Sequence, residues 1–242
     1  MPFYYYGAKH KLAAKYPRPQ HDTIIEPFAG SAAYSVRWAT DSTRVILYDL
    51  DPAVVQLWHQ IQNMTKADLD TISRHVQNDQ RTNMLILAGH AGSAAFKAIA
   101  NGKTSTITPR IRNRWEMAKQ RIWRALPRIR NWEIVHGTYS DIPNINATWF
   151  IDPPYSVHDL GYNNITSASG NGYRHGASGI DYTHLGDWCQ TRLGQIIVCE
   201  QEPANWLPFT PFHKQINAQN TMRTEVIWTN TPTTNTETLT LF

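Results

Sequence analysis

Two cysteines in 242 residues, Cys189 and Cys199, provide neither a disulfide framework nor a four-cysteine zinc site. No apolar run approaches the ~18 residues that mark a membrane span, so no membrane partner is expected. The opening Met1-Pro2-Phe3-Tyr4-Tyr5-Tyr6-Gly7 has no basic start followed by an apolar stretch, and no signal peptide is expected. Charge is sparse and not of one sign: 23 Lys and Arg stand against 19 Asp and Glu, a net +4. That excess permits a polyanionic partner without requiring one. With 41% apolar residues the chain can bury a sizeable core and is not a disordered polymer. Its length suits one large domain, or one domain carrying an insertion. A soluble protein of a reducing compartment is expected.

The chain opens its regular structure with a strand at Thr23-Ile24-Ile25-Glu26 and a helix from Ala32 to Ala39. A second strand, Arg44 to Tyr48, runs into Asp49-Leu50-Asp51-Pro52 and a helix through about Asn63. Strand, helix and strand within about 40 residues predict a βαβ unit and a parallel sheet. Further strands are predicted at Trp132 to His136, Thr148 to Ile151 and Gln195 to Cys199. Phe212 to Ile216 and Glu225 to Thr229 read as an antiparallel pair, and Thr231 to Phe242 as an edge strand or loose tail. Gly161 to Gly179, rich in Gly, Asn and Ser, reads as a loop. It carries Tyr162, Tyr173, Arg174 and His175, which suit a lid or a partner-contacting loop as well as a plain linker. Between Lys97 and Arg130 ten basic residues face Glu116 alone. Within that stretch Trp115, Ala118, Ile122, Ala125 and Leu126 share one helical face, and most of the charges fall off it.

The sharpest chemical signal is Asp152-Pro153-Pro154-Tyr155 at the end of an apolar strand. Ligands of open parallel sheets sit beyond the carboxyl ends of the strands. Two prolines fix two φ angles and remove two N–H donors. The Asp152 carboxylate and the Pro153 carbonyl then offer two acceptors, a complement for an –NH2 group, and Tyr155 offers a flat face for a planar ring. The same tetrapeptide would also serve as an Asp-capped proline turn. The loop Glu26-Pro27-Phe28-Ala29-Gly30-Ser31 lets a ligand approach the backbone, although such loops are common. Asp49 follows the second strand, where a carboxylate holds ribose hydroxyls in nucleotide-binding sheets; alone it suits a turn or a helix cap equally. Tyr5-Tyr6-Gly7-Ala8-Lys9 reads alone as a surface loop anchored by its aromatics. His158, His175 and His184 lack metal-ligand spacing, and no metal is expected. Cys189 and Cys199 sit in apolar stretches and read as core residues, not as the nucleophile of cytosine-C5 methyl transfer.

Taken in order, these segments resemble the DNA adenine-N6 methyltransferases of the DPPY type, the DNA adenine methylase family. The matches are Tyr5 and Lys9, Glu26-Pro27-Phe28-Ala29-Gly30, Asp49, the basic segment and Asp152-Pro153-Pro154-Tyr155. The resemblance implies an α/β fold, a Rossmann-like S-adenosylmethionine-dependent methyltransferase sheet with a helical target-recognition insertion. The catalytic domain would comprise residues 1–55 and 132–242, and the basic insertion residues 56–131. It implies an adenine-specific DNA methyltransferase with S-adenosylmethionine as cofactor and double-stranded DNA, one adenine flipped out, as partner. A cytoplasmic place in a bacterial or phage-infected cell follows, with a restriction-modification role open. Asp152, Pro153, Pro154 and Tyr155 would be catalytic. Tyr5, Lys9, Glu26, Pro27, Phe28, Gly30, Asp49 and Asp152 would bind cofactor, with Lys9 at its polar end. Arg110, Arg112 and Arg114 would bind DNA. Two other readings are an RNA adenine methyltransferase and an inactive DNA-binding protein. The chain departs from the family pattern at Tyr5, where Trp is usual, and at Ser31 and Ala32, where glycines are common. In His136-Gly137-Thr138-Tyr139, Thr138 replaces a carboxylate that the resemblance places on the cofactor's adenine.

Overall fold

The computed structural model describes Phe3 and residues 9–71, 109–156, 177–216 and 222–231. Seven strands form one sheet in the order β3-β2-β1-β4-β5-β7-β6. They are β1 Thr23–Glu26, β2 Arg44–Asp49, β3 Glu133–His136, β4 Ala147–Ile151, β5 Gly194–Gln201, β6 Thr210–Ile216 and β7 Met222–Thr229. β1, β2, β3, β4 and β5 pair in parallel, and β7 runs antiparallel between β5 and β6. The sheet is mostly parallel and Rossmann-like, as expected. The helices are α1 Ala33–Trp38, α2 Pro52–Gln62, α3 Lys66–Thr71, α4 Pro109–Ile129 and α5 Tyr182–Gln190. No helix among the described residues is long and apolar enough to cross a membrane.

Both faces of the sheet are covered, which is why its central strands are apolar without alternation. Ile24, Val45, Leu47, Phe150, Ile197 and Cys199 point to one face, packed with Leu12, Tyr16, α1, α2 and α4. Ile25, Ile46, Trp149, Ile151, Ile196 and Val198 point to the other, against Leu185, Trp188 and Cys189 of α5. Both cysteines are free and buried, and burial pushes the Cys189 and Cys199 thiols up, as expected of core residues.

Local chemistry sets the element ends. Asp51 caps α2 by accepting from the Ala53 amide at 2.9 Å, with Pro52 opening the helix. Asp181 caps α5 through the His184 amide at 3.0 Å. Gly194, at φ +102°, opens β5 where a Cβ would stand 2.2 Å from the Ala147 carbonyl oxygen, so only glycine fits.

The boundaries expected at residues 55/56 and 131/132 cross packed elements. Leu57, Trp58 and Ile61 of α2 lie in the same core as Ile122, Ala125, Leu126 and Ile129 of α4. Gln62 Nε2 donates to the Ile129 and Trp132 carbonyls at 2.9 and 2.8 Å, and Arg128 to the Ala39 carbonyl at 3.0 Å. Burying each of these large aliphatic side chains contributes about 1.5–3 kcal/mol. The second half of α4 thus packs into the same core as α2 and the sheet.

Candidate functional site

β4 ends at Ile151, and the chain turns through Asp152-Pro153-Pro154-Tyr155 at the carboxyl edge of the sheet. Contacts from three other parts of the chain hold that turn. Lys9 Nζ lies 2.9 Å from Asp152 Oδ1, an ion pair with side chains 8% and 19% exposed. The same ammonium lies over the Tyr155 ring, 4.5 Å from its centroid. The Tyr182 hydroxyl of α5 donates to the Pro154 carbonyl. Glu200, at the end of β5, accepts from the Ser156 amide and from Trp206 Nε1, each at 2.9 Å. Burial pushes the Asp152 carboxyl up from its ordinary value, and Lys9 and the Tyr155 hydroxyl pull it back.

Glu26 ends β1 and is buried. Its Oε1 accepts from the Ser35 amide at 2.7 Å, in the first turn of α1. Ala32, the residue before that helix, has φ 46° and accepts nothing with its side chain, so Glu26 takes the role that a capping residue would fill. Burial pushes the Glu26 carboxyl up to about 8, with Ser35 opposing and nearby Asp152 adding to the rise. Pro27 and Gly30 are buried beside it, and Phe28, half-buried, meets the Tyr139 ring at 5.7 Å.

At the end of β2, Asp49 is held by backbone. Oδ2 accepts from the Gly30 amide at 2.8 Å and Oδ1 from the Asp51 amide at 2.9 Å. Gly30 reaches it through a left-handed turn at φ 46°. Burial lifts the Asp49 carboxyl to about 6 against the pull of those two amides. The β1–α1 loop and the end of β2 are thus joined through one carboxylate.

Thr138 is engaged locally. Its amide and hydroxyl donate to Asp141 Oδ2 at 2.7 and 3.1 Å in a reciprocal cap of a short 3-10 turn. The carboxylate missing at residue 138 is present three positions on, beside Gly137 and the Tyr48 ring.

Lys9, Glu26, Asp152 and Tyr155 therefore share one region, Glu26 and Asp152 through their mutual charge, whereas Asp49 and Gly30 form a second point on the same edge. Tyr5 lies outside the described residues, as do 161–176 of the glycine-rich loop and nearly all of the Thr-rich end. Arg110, Arg112 and Arg114 fall on the first turns of α4. Two residues that sequence reasoning did not single out take part. Glu200 pins the turn from β5. Glu225 of β7, 4% exposed, accepts from the Tyr16 hydroxyl. A carboxylate inside an otherwise apolar strand, as in Ile197-Val198-Cys199-Glu200, was the available signal.

The mostly parallel sheet, with acidic and aromatic side chains gathered at its carboxyl edge, is consistent with a Rossmann-like methyltransferase fold. Residues 5–85 match the model of the D12 class N6 adenine-specific DNA methyltransferases. This match bears out the resemblance to the DNA adenine methylase family read from the motifs, and it supports methyltransferase activity. A solved structure of a Haemophilus influenzae protein with a provisional methylase assignment is similar at 12% identity and TM-score 0.34, over 92% of this chain and 85% of that one. No curated protein matches the chain.

Proposed function

We propose that the protein transfers a methyl group from S-adenosylmethionine to N6 of adenine in DNA. The observation that carries this reading is the half-buried Asp152-Pro153-Pro154-Tyr155 turn at the end of β4, with its carboxylate and its aromatic ring both set against Lys9. The described residues suit the cofactor. Each Asp49 oxygen accepts one amide and retains a lone pair for a ribose hydroxyl. Gly137 leaves open a position where a Cβ would stand 3.1 Å from the Asp141 carboxylate and 3.4 Å from the Tyr48 ring. When bound, the cofactor supplies an electrophilic methyl on a sulfonium.

The residues then divide the work. Asp152 and the Pro153 carbonyl accept from the amino group and aim its nitrogen. Tyr155 stacks on the base, which must leave the duplex at a cost of a few kcal/mol. Asp152 also stabilises the positive charge that develops on nitrogen. Transfer is direct, and positioning is the main source of rate. Lys9 pairs with Asp152 here, so it reaches the acceptor end of the site as well as any cofactor group.

Transfer of a tritiated methyl group to unmodified DNA, run beside RNA, tests the reading. Label in DNA adenine supports it. Label in RNA alone would move the substrate, and label in neither would leave occupancy of DNA as the activity. The basic start of α4 supports DNA as partner. Changing Arg110, Arg112 and Arg114 together to Ala is expected to flatten the salt dependence of DNA binding by up to about three units, with cofactor affinity unchanged. An unchanged slope would move the DNA surface elsewhere.

A further inference from the structure

Tyr155 carries the flat face of the turn, and the peptide groups on either side of it are both held from outside. The Tyr182 hydroxyl of α5 donates to the Pro154 carbonyl, which belongs to the peptide before Tyr155. Glu200, at the end of β5, accepts from the Ser156 amide at 2.9 Å, which belongs to the peptide after it. The same oxygen, Oε2, accepts from Trp206 Nε1 at 2.9 Å, and Oε1 accepts from the Gln201 amide at 2.9 Å. Glu200 is fully buried, so these three donors, and not water, fix where its oxygens stand.

The two braces are also tied to each other. Trp206 lies against the Tyr182 ring, centroids 5.5 Å apart, and edge-on to Phe209 at 5.0 Å. Its carbonyl oxygen fits against Gly186 of α5, where a Cβ would stand 2.9 Å away. The contacts thus close a circuit from the Pro154 carbonyl through Tyr182, Trp206 and Glu200 to the Ser156 amide. Peptide groups are planar, so fixing one on each side of a residue fixes the direction of its side chain. A planar base stacks well only on a ring held at a set angle.

We propose that Tyr182 and Glu200 are positioning residues that set the Tyr155 ring for the acceptor base, Tyr182 through the Pro154 carbonyl and Glu200 through the Ser156 amide. The base named here rests on the methyl-transfer reading; the bracing of the turn does not.

Tyr182→Phe keeps the ring against Trp206 and removes only the hydroxyl. It is expected to lower kcat on DNA about fivefold, the scale of one hydrogen bond, with an unchanged Kd for S-adenosylmethionine. In a Tyr155→Ala background the same change should lower kcat no further, because it acts through that ring. Glu200→Gln leaves one acceptor oxygen for three donors and should lower kcat by a similar factor. Hydrogen exchange of the Ser156 amide, followed by NMR without substrate, reads the brace directly. Glu200→Gln should speed it about fivefold, and so should Tyr182→Phe, although the Tyr182 hydroxyl bonds to a different peptide. Wild-type kcat in Tyr182→Phe, or a loss that persists in full in the Tyr155→Ala background, overturns the proposal. So does Ser156 exchange that Tyr182→Phe leaves unchanged. If the wild-type protein methylates neither DNA nor RNA, the methyl-transfer reading fails instead, and the exchange rates alone decide whether the turn is braced.

Discussion

Asp49 and Asp152 are both carboxylates at the carboxyl edge of one sheet, but they are held by different means. Asp49 is gripped by two backbone amides, of Gly30 and Asp51. Asp152 is set by side chains, Lys9 and Tyr155. An amide is supplied by nearly any residue, so apart from the left-handed turn at Gly30 the Asp49 end depends on the path of the β1–α1 loop and little on the side chains that form it. The Asp152 end depends on particular residues from distant parts of the chain. One carboxylate is thus built to persist while its neighbours vary, and the other to respond to its partners.

The strongest test of that contrast is Asp152→Ala. More than a tenfold loss of kcat is expected, because a hydrogen bond to a charged group contributes at least about 1.5 kcal/mol and acts on the reacting nitrogen. Far-ultraviolet circular dichroism should show the fold retained. A variant keeping more than about a tenth of wild-type turnover would remove Asp152 from the chemistry. A smaller effect is expected from Asp49→Ala: calorimetry should show S-adenosylmethionine bound about tenfold more weakly, with kcat at saturating cofactor much less changed. Equal affinity would end the ribose assignment.

The mildest effect concerns pH and lies between the two ends, at Glu26. Its carboxyl is pushed up to about 8 by burial, from an ordinary 4.5. The folded chain therefore holds that proton more tightly than the unfolded chain. Its contribution to stability is complete below about pH 4.5 and is lost as pH rises through about 8. Glu26→Gln keeps an acceptor for the Ser35 amide and has no proton to lose. Its melting temperature should decline less between about pH 5 and 8 than that of the wild type, with a gain at the alkaline end of at least about 1.4 kcal/mol, one pKa unit. Parallel melting curves for the two proteins would contradict this account.

The parallel strands were legible because burial on both faces leaves them as short apolar runs bounded by turn residues. Their ends moved by a residue or two, as β2 did by taking in Asp49. α5 was not legible. Gly186 interrupts its pattern, and the structure requires that glycine because a Cβ there would stand 2.9 Å from the Trp206 carbonyl oxygen. The place of β7 between β5 and β6 was not legible either, since an antiparallel hairpin carries no mark of which arm joins the sheet. Asp152 and Asp49 could be found because each ends a strand. Glu225 lacks the signal that Glu200 gives inside an apolar strand, because Arg223-Thr224-Glu225-Val226-Ile227 reads as an ordinary half-polar strand and its bond to Tyr16 spans about two hundred residues.

The Lys9–Asp152 ion pair also has a consequence for biosynthesis. Lys9 is made well before β4, so its counter-charge does not exist until the end of that strand has been made. Contacts so distant in sequence close late and slow the search for the native state. A nascent chain that has made β1, β2 and their helices already carries the Gly30–Asp49 link, but it cannot yet present the Asp152 turn with all its partners. That turn should therefore set in a single late step, when Tyr182 of α5 and Glu200 of β5 reach it, rather than gradually with chain length.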